Sequence, residues 1–341
     1  MPGRIRGRPP RSREVDSQIG ALMRAYEGDV PGASVLVLHE GEAVVRRAYG
    51  YADLEHRTAA GYATNYRLAS LTKQFTAAAV LLLVEESRLS LGASIRAWLP
   101  SLPAVADRVT LRHLLTHTSG VLDYEDLIPA NRRNPLHDGD VLQLLETEDR
   151  TYFPPGTSYR YSNSGYALLA LVVAAAAGIG FASVLRTRIF APLGMLHTVA
   201  HEEGISTVSH RAFGYSERQR QWLRTDQNLT SAVLGDGGIY SSIDDWEKWD
   251  AALSDDRLLR PESLRLAFTA ATATDDPSID YGFGWRITKQ HVWHSGESVG
   301  FRNAVVRFPE RRLTVLVLTN RDEPGPYPIA LRIAELVNPR C

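Results

Sequence analysis

The 341-residue sequence predicts an α+β fold: an antiparallel sheet with flanking helices, assembled from both ends of the chain, plus an inserted, mainly helical domain. Three observations predict it. Runs rich in β-branched residues sit near both termini, the long middle carries mostly helical patterns, and strands do not alternate regularly with helices as a barrel or doubly wound sheet requires. The expected division is residues 1–13 as a basic arm, 14–68 with 275–341 as the sheet domain, and 69–274 as the helical domain, with an active site in the cleft between the two.

The elements follow in order. Val15, Ile19, Leu22 and Tyr26 fall at steps of four, three and four, so residues 14–26 should form a helix. Runs 33–39 and 43–52, joined around Glu40 and Gly41, read as a hairpin. Helices are expected over 74–86, 111–115, 141–146, 166–177, 181–189 and 243–253. Run 167–177 is the longest apolar one, too short for a span of about 20 residues, and reads as a buried helix. Strands at 282–287, 304–308 and 313–319 and a helix at 327–337 close the chain.

Composition excludes several classes. Hydrophobic residues at 44% and charged ones at 23% are ordinary globular values, which rules out a disordered or collagen-like chain. A formal net charge of −1 gives no global field for nucleic acid or an anionic membrane. Arg4, Arg6, Arg8, Arg11 and Arg13 make the first residues a solvated basic arm without the apolar stretch of a secretory signal. Cys341 is the single cysteine, which leaves no intramolecular disulfide and no cysteine-based metal site. A cytoplasmic protein without metal or cofactor, acting on a small molecule and not on nucleic acid or membrane, is the expectation; the sequence gives no oligomeric state.

Missing motifs narrow the chemistry. Only three lysines occur and none follows a glycine, so there is no nucleotide-binding P-loop. His201-Glu202-Glu203 begins like a zinc-protease helix, but Ile205 stands where the second histidine belongs. Gly296-Glu297-Ser298-Val299-Gly300 matches the G-x-S-x-G nucleophile elbow. That fold needs its histidine after the serine, and the last histidine here is His294.

The remaining candidates are positive. Ser70-Leu71-Thr72-Lys73 places a hydroxyl and an amine on one helix face, where an amine of depressed pKa can act as base on the serine. Alone, it reads as readily as a helix start capped by Ser70 with a solvated Lys73. In Tyr161-Ser162-Asn163 the phenol can share proton transfer with the lysine and the amide can bind a substrate carbonyl, or the segment merely caps the next helix. After His294-Ser295-Gly296, a strand ending in glycine, the N–H of Glu297 is a candidate oxyanion donor beside that of Ser70. His113 and His117, four apart, suggest a metal pair, but no third ligand accompanies them and structural hydrogen bonding is the expected role.

In this order, with Gly235-Asp236-Gly237-Gly238 between the second and third elements, the sequence resembles the serine β-lactamase and penicillin-binding-protein superfamily. It looks most like class C β-lactamases and their family VIII esterase relatives. The resemblance implies Ser70 as the acylated nucleophile and Lys73 with Tyr161 as the proton-transfer pair. Asn163, His294, Ser295 and Gly296 would contact substrate, and the backbone N–H groups of Ser70 and Glu297 would hold the oxyanion. One departure bears on substrate: typical class C enzymes carry Lys-Thr-Gly where this chain has His294-Ser295-Gly296. A histidine mostly neutral at pH 7 pulls less on a carboxylate, which favours uncharged esters. The leading expectation is therefore a carboxylesterase on short or medium acyl esters. A D-amino-acid peptidase or carboxypeptidase, a β-lactamase and an acyltransferase are the alternatives.

Overall fold

The computed structural model describes residues 13–339. Most of the arginine-rich arm and Cys341 lie outside the described residues; Arg13 itself opens the first helix, Arg13–Leu22.

Eight strands form one antiparallel sheet in the order Thr272–Ala273, Asp280–Tyr281, Arg286–Ile287, Val292–Ser298, Phe301–Phe308, Leu313–Thr319, Ala33–His39, Glu42–Tyr49. The two ends of the chain meet within it, where Ala33–His39, next to the edge strand, pairs with Leu313–Thr319 along its whole length. These two strands read as continuous apolar runs because both of their faces are covered. Val35, Val37, Val315 and Val317 point to one side, under Ile19, Met23, Ile333 and Ala334 of the terminal helices. Leu36, Leu38, Leu316 and Leu318 point to the other, against the helical region.

That region centres on two helices, Lys73–Glu85 and Asn163–Ala177, both apolar nearly all round and buried as such sequences must be. Helix Tyr327–Val337 coincides with its expected range, as do Leu111–Leu115 and the hairpin strand Ala33–His39. Among the described residues no single helix is long and apolar enough to cross a membrane.

Four expectations are corrected. Residues 282–287 are not one strand: Asp280–Tyr281 and Arg286–Ile287 pair with each other around a turn, because Gly284 takes φ +79° and Gly282 donates to the Trp285 carbonyl. The 43–52 run breaks at Gly50 (φ +60°) into Glu42–Tyr49 and Tyr51–Asp53. The strand carrying His294 does not end at Gly296 but runs to Ser298. Within the stretch expected to be helical, Tyr215–Arg218 and Gln221–Arg224 form a hairpin, while helix Pro261–Ala267, opened by its proline, escaped the pattern reading.

Candidate active site

Ser70 lies in a short 3₁₀ turn, Ala69–Thr72, that runs into helix Lys73–Glu85. The turn is clamped before the serine. Asn303 Nδ2 donates to the carbonyls of Arg67 (2.8 Å) and Leu68 (3.3 Å), and the Leu68 N–H donates to Ile239 (2.8 Å). Gly296 presses against the same segment: a Cβ there would stand 2.1 Å from the Leu68 carbonyl oxygen, so no side chain fits. Ala69 takes φ +50°, a left-handed conformation costing a non-glycine residue roughly 1–2 kcal/mol, which the clamped surroundings hold in place. Ser70 therefore does not cap the helix; it projects from a strained turn.

Lys73 is fully buried. Its Nζ meets three oxygens: Ser70 Oγ at 3.1 Å, Asn163 Oδ1 at 2.8 Å and the Asp236 carbonyl at 3.0 Å. An ammonium satisfies this tripod with three donors. A neutral amine satisfies it with two, to Asn163 and Asp236, and turns its lone pair to the Ser70 hydroxyl, the arrangement a general base needs. None of these three partners is a carboxylate.

Each leg of the tripod has its own support. Asn163 opens helix Asn163–Ala177, whose cap Ser162 accepts from the Gly165 N–H, and its Nδ2 donates to Glu125 Oε1 at 2.9 Å. Both ends of the amide are thus engaged, so in this geometry Asn163 holds the lysine instead of reaching for a substrate carbonyl. Asp236 sits on the helical turn Leu234–Gly237, pinned by buried Asp138, which accepts from the N–H groups of Leu234 and Gly235 (both 2.9 Å). Gly235 packs where a Cβ would be 2.3 Å from the Tyr166 carbonyl oxygen. The Asp236 carboxyl accepts from Tyr124 Oη at 3.0 Å. Burial pushes it up to about 7 against the pull of Lys73, and burial pushes Asp138 up to about 6.

Tyr161 stands with its ring centroid 4.9 Å from Lys73 Nζ, and its buried hydroxyl finds no hydrogen-bond partner among the described residues. The ring is placed from behind by His117, at 4.3 Å between centroids, whose Nδ1 accepts from the Ser162 N–H at 3.0 Å. Burial, reinforced by Lys73, drives His117 well below the ordinary histidine range, so it is neutral. His113 instead accepts from the Thr110 N–H and caps helix Leu111–Leu115, beyond which His117 lies at φ +58°. The two histidines do not face a common ligand, and among the described residues no group of three or more His, Cys, Asp or Glu can hold a metal.

The opposite wall is strand Val292–Ser298. His294 does not line the cleft: it is buried, its Nε2 pairs with Tyr281 Oη at 3.0 Å and its Nδ1 with the Ser295 carbonyl at 2.6 Å. Burial, with Arg286 and Lys73 nearby, lowers it to about 3. The substrate contact expected of His294 is thereby replaced by an internal one. Glu297 and Ser298 do face the cleft, a cavity of about 180 Å³ shared with Ser70, Tyr124, Glu125 and Asn163. No hydrogen bond joins a base to the Ser298 hydroxyl among the described residues, and His294 is turned away from it. A larger surface cavity, about 680 Å³ beside His39 and Val337, holds no nucleophile and base together.

The structure thus brings together Ser70, Lys73, Tyr161, Asn163 and the backbone of Gly296–Glu297, and sets His294 behind them. Sequence reasoning missed Tyr124, Glu125 and the Asp236 side chain. Asp236 carried a signal, an acid between glycines in a motif already noted, whereas Tyr124 and Glu125 lie in a loop whose conformation no local pattern fixes.

Comparison with known proteins identifies relatives along nearly the whole chain. The family model for Beta-lactamase matches residues 15–337. Penicillin-binding protein 4* of Bacillus subtilis is 32% identical over 87% of this chain and 70% of its own length. A D-aminopeptidase of Gluconobacter oxydans is 30% identical over 91% of this chain, which spans only 59% of that relative. Among solved structures, EstCE1, described as a hydrolase with promiscuous acyltransferase activity, superposes with a TM-score of 0.81 at 23% identity, covering 95% of this chain and 98% of that one.

Proposed function

The chain belongs to the Beta-lactamase family, a serine hydrolase fold, and on that premise we propose that it is an acyl hydrolase working through a covalent Ser70 ester, with short-chain carboxylic esters as its leading substrates. The observation that carries the reading is the buried Lys73 amine, held by Asn163 and the Asp236 carbonyl with its third contact on Ser70 Oγ. In the first step Lys73 takes the Ser70 proton while Oγ bonds to the acyl carbon. The backbone N–H groups of Ser70 and Glu297 receive the oxyanion. The proton passes to the leaving alkoxide through Lys73 and the unpartnered Tyr161 hydroxyl, and water then repeats the sequence on the acyl-enzyme.

Electrostatics support uncharged substrates. The strand wall offers no cation at its third motif, because His294 is buried and neutral. Arg67, at the cleft's edge, is itself buried, with a guanidinium nitrogen on the Ser231 carbonyl at 2.5 Å. A β-lactam carboxylate would find little to hold it. A second reading has its own support: Glu125 presents its carboxylate to the cleft, which suits acyl groups bearing a free amine, and a 30% identical relative is a D-aminopeptidase.

Initial rates on p-nitrophenyl butyrate, D-alanine p-nitroanilide and nitrocefin, with wild type and Ser70→Ala, test both. Fast ester cleavage, slow nitrocefin turnover and loss of both in the variant are expected. D-alanine anilide as the best substrate, with Glu125→Gln raising its KM, would replace the esterase reading by the aminopeptidase one. Undiminished hydrolysis by Ser70→Ala would end both.

A further inference from the structure

Asp236 meets the lysine's surroundings through both its backbone and its side chain, and the mechanism above uses only the backbone. Its carbonyl accepts from Lys73 Nζ, its buried side chain lies in the cavity that holds Ser70, and Tyr124 Oη donates to it. A buried ammonium without a countercharge is costly, and the three oxygens that Lys73 Nζ meets are a hydroxyl, an amide and a backbone carbonyl, none of them charged. Resting on the reading of Ser70 and Lys73 as nucleophile and base, we propose that the Asp236 carboxylate is the buried countercharge of Lys73, a positioning residue that stabilises the ammonium formed when the Ser70 proton is taken.

The groups facing Asp236 from each packed element are few. Helix Lys73–Glu85 presents Lys73, strand Tyr66–Arg67 presents Arg67, helix Asp138–Glu146 presents Asp138, and the turn Tyr124–Leu127 presents Tyr124. Helix Asn163–Ala177 contributes Tyr166, whose ring lies 5.5 Å from Lys73 Nζ; the turn Ala69–Thr72 and helix Phe181–Leu185 carry no titratable residue. Lys73 and Arg67 favour the carboxylate, while Asp138 opposes it. In the acylation step the Ser70 O–H bond breaks, the Nζ–H and Oγ–acyl bonds form, and net charge is conserved, because the oxyanion balances the new ammonium. The Asp236 charge lowers the energy of that ammonium without touching the substrate.

The protonation of the pair is shared, so the acid limb of the rate profile belongs to both groups. Removing the negative charge makes Lys73 give up its proton at lower pH. For Asp236→Asn, which keeps the acceptor for Tyr124, the acid limb of kcat/KM should move down by about 1 pH unit or more, and the plateau should fall by about tenfold. An unmoved or upward-moved limb in folded protein overturns the proposal. The reciprocal measurement needs no activity: an infrared pH titration of wild type should reveal a buried carboxyl titrating above the ordinary carboxylate range, and Lys73→Ala should shift it further upward. A carboxyl indifferent to Lys73→Ala overturns the proposal even if Asp236→Asn does not fold. The reading beneath it fails separately, by retained activity in Ser70→Ala.

Discussion

The two walls of the cleft are built on opposite principles. On the helical wall, charge and hydrogen bonds form a closed circuit: Lys73 to Asn163, Asn163 to Glu125, the neighbouring Tyr124 to Asp236, and Asp236 back to Lys73. On the strand wall the equivalent depth is filled by a neutral histidine and bare backbone, with Gly296 allowing van der Waals closure onto the turn before Ser70. The difference places proton chemistry on one wall and shape on the other. A wall of networked polar groups is sensitive to the loss of any member, whereas a wall of packed backbone is sensitive to added volume.

The predictions sharpen that contrast. The largest effect belongs to Lys73→Ala: with the base gone, kcat/KM for the best ester should fall about 10³-fold or more, and a loss under tenfold would remove the helical wall's claim to the chemistry. Tyr161→Phe follows, with a fall of about 10²-fold. Its buried hydroxyl makes no hydrogen bond among the described residues, so thermal stability should be unchanged or slightly raised. A drop in Tm matching the lost activity would instead mark the ring's hydroxyl as structural. Gly296→Ala should act through packing. The added carbon cannot avoid the Leu68 carbonyl oxygen, and a loss of about 1–3 kcal/mol in urea unfolding is expected, with the nucleophile turn displaced and activity reduced.

The smallest effect concerns His294. Its folded-state pKa, about 3, lies below the ordinary 6.5, so the unfolded chain binds the proton more readily. The stability this histidine contributes is present above pH 6.5 and is lost as pH falls from there toward 3, by up to about 1.4 kcal/mol per pH unit. His294→Gln should flatten the acid side of the stability profile measured by denaturant unfolding; an unchanged slope would mean that His294 is not held neutral.

Much of the fold was legible because its signals are local. Run 33–39 is a short unbroken stretch rich in valine and leucine, helix 327–337 keeps a helical pattern along its length, and the apolar 167–177 segment can only be buried. The turn at 282–285 was misread because Phe283 and Trp285 look like strand residues while Gly282 and Gly284 bend the chain. Of the candidate site, Ser70 and Lys73 share a spacing that any helix brings together. The neutrality expected of His294 agrees with its burial, yet its place behind the wall could not be foreseen, since Tyr281, its partner, is thirteen residues away on another strand. Glu125 meets Asn163, and Tyr124 meets Asp236, only through tertiary packing, across separations of 38 and 112 residues, which no spacing rule reaches.

The most direct test of the account is to label the protein with a fluorophosphonate and locate the adduct by tandem mass spectrometry. The account predicts a single modification on Ser70, blocked by a competing ester and absent from Ser70→Ala. An adduct on Ser298, or labelling that survives in Ser70→Ala, would contradict it.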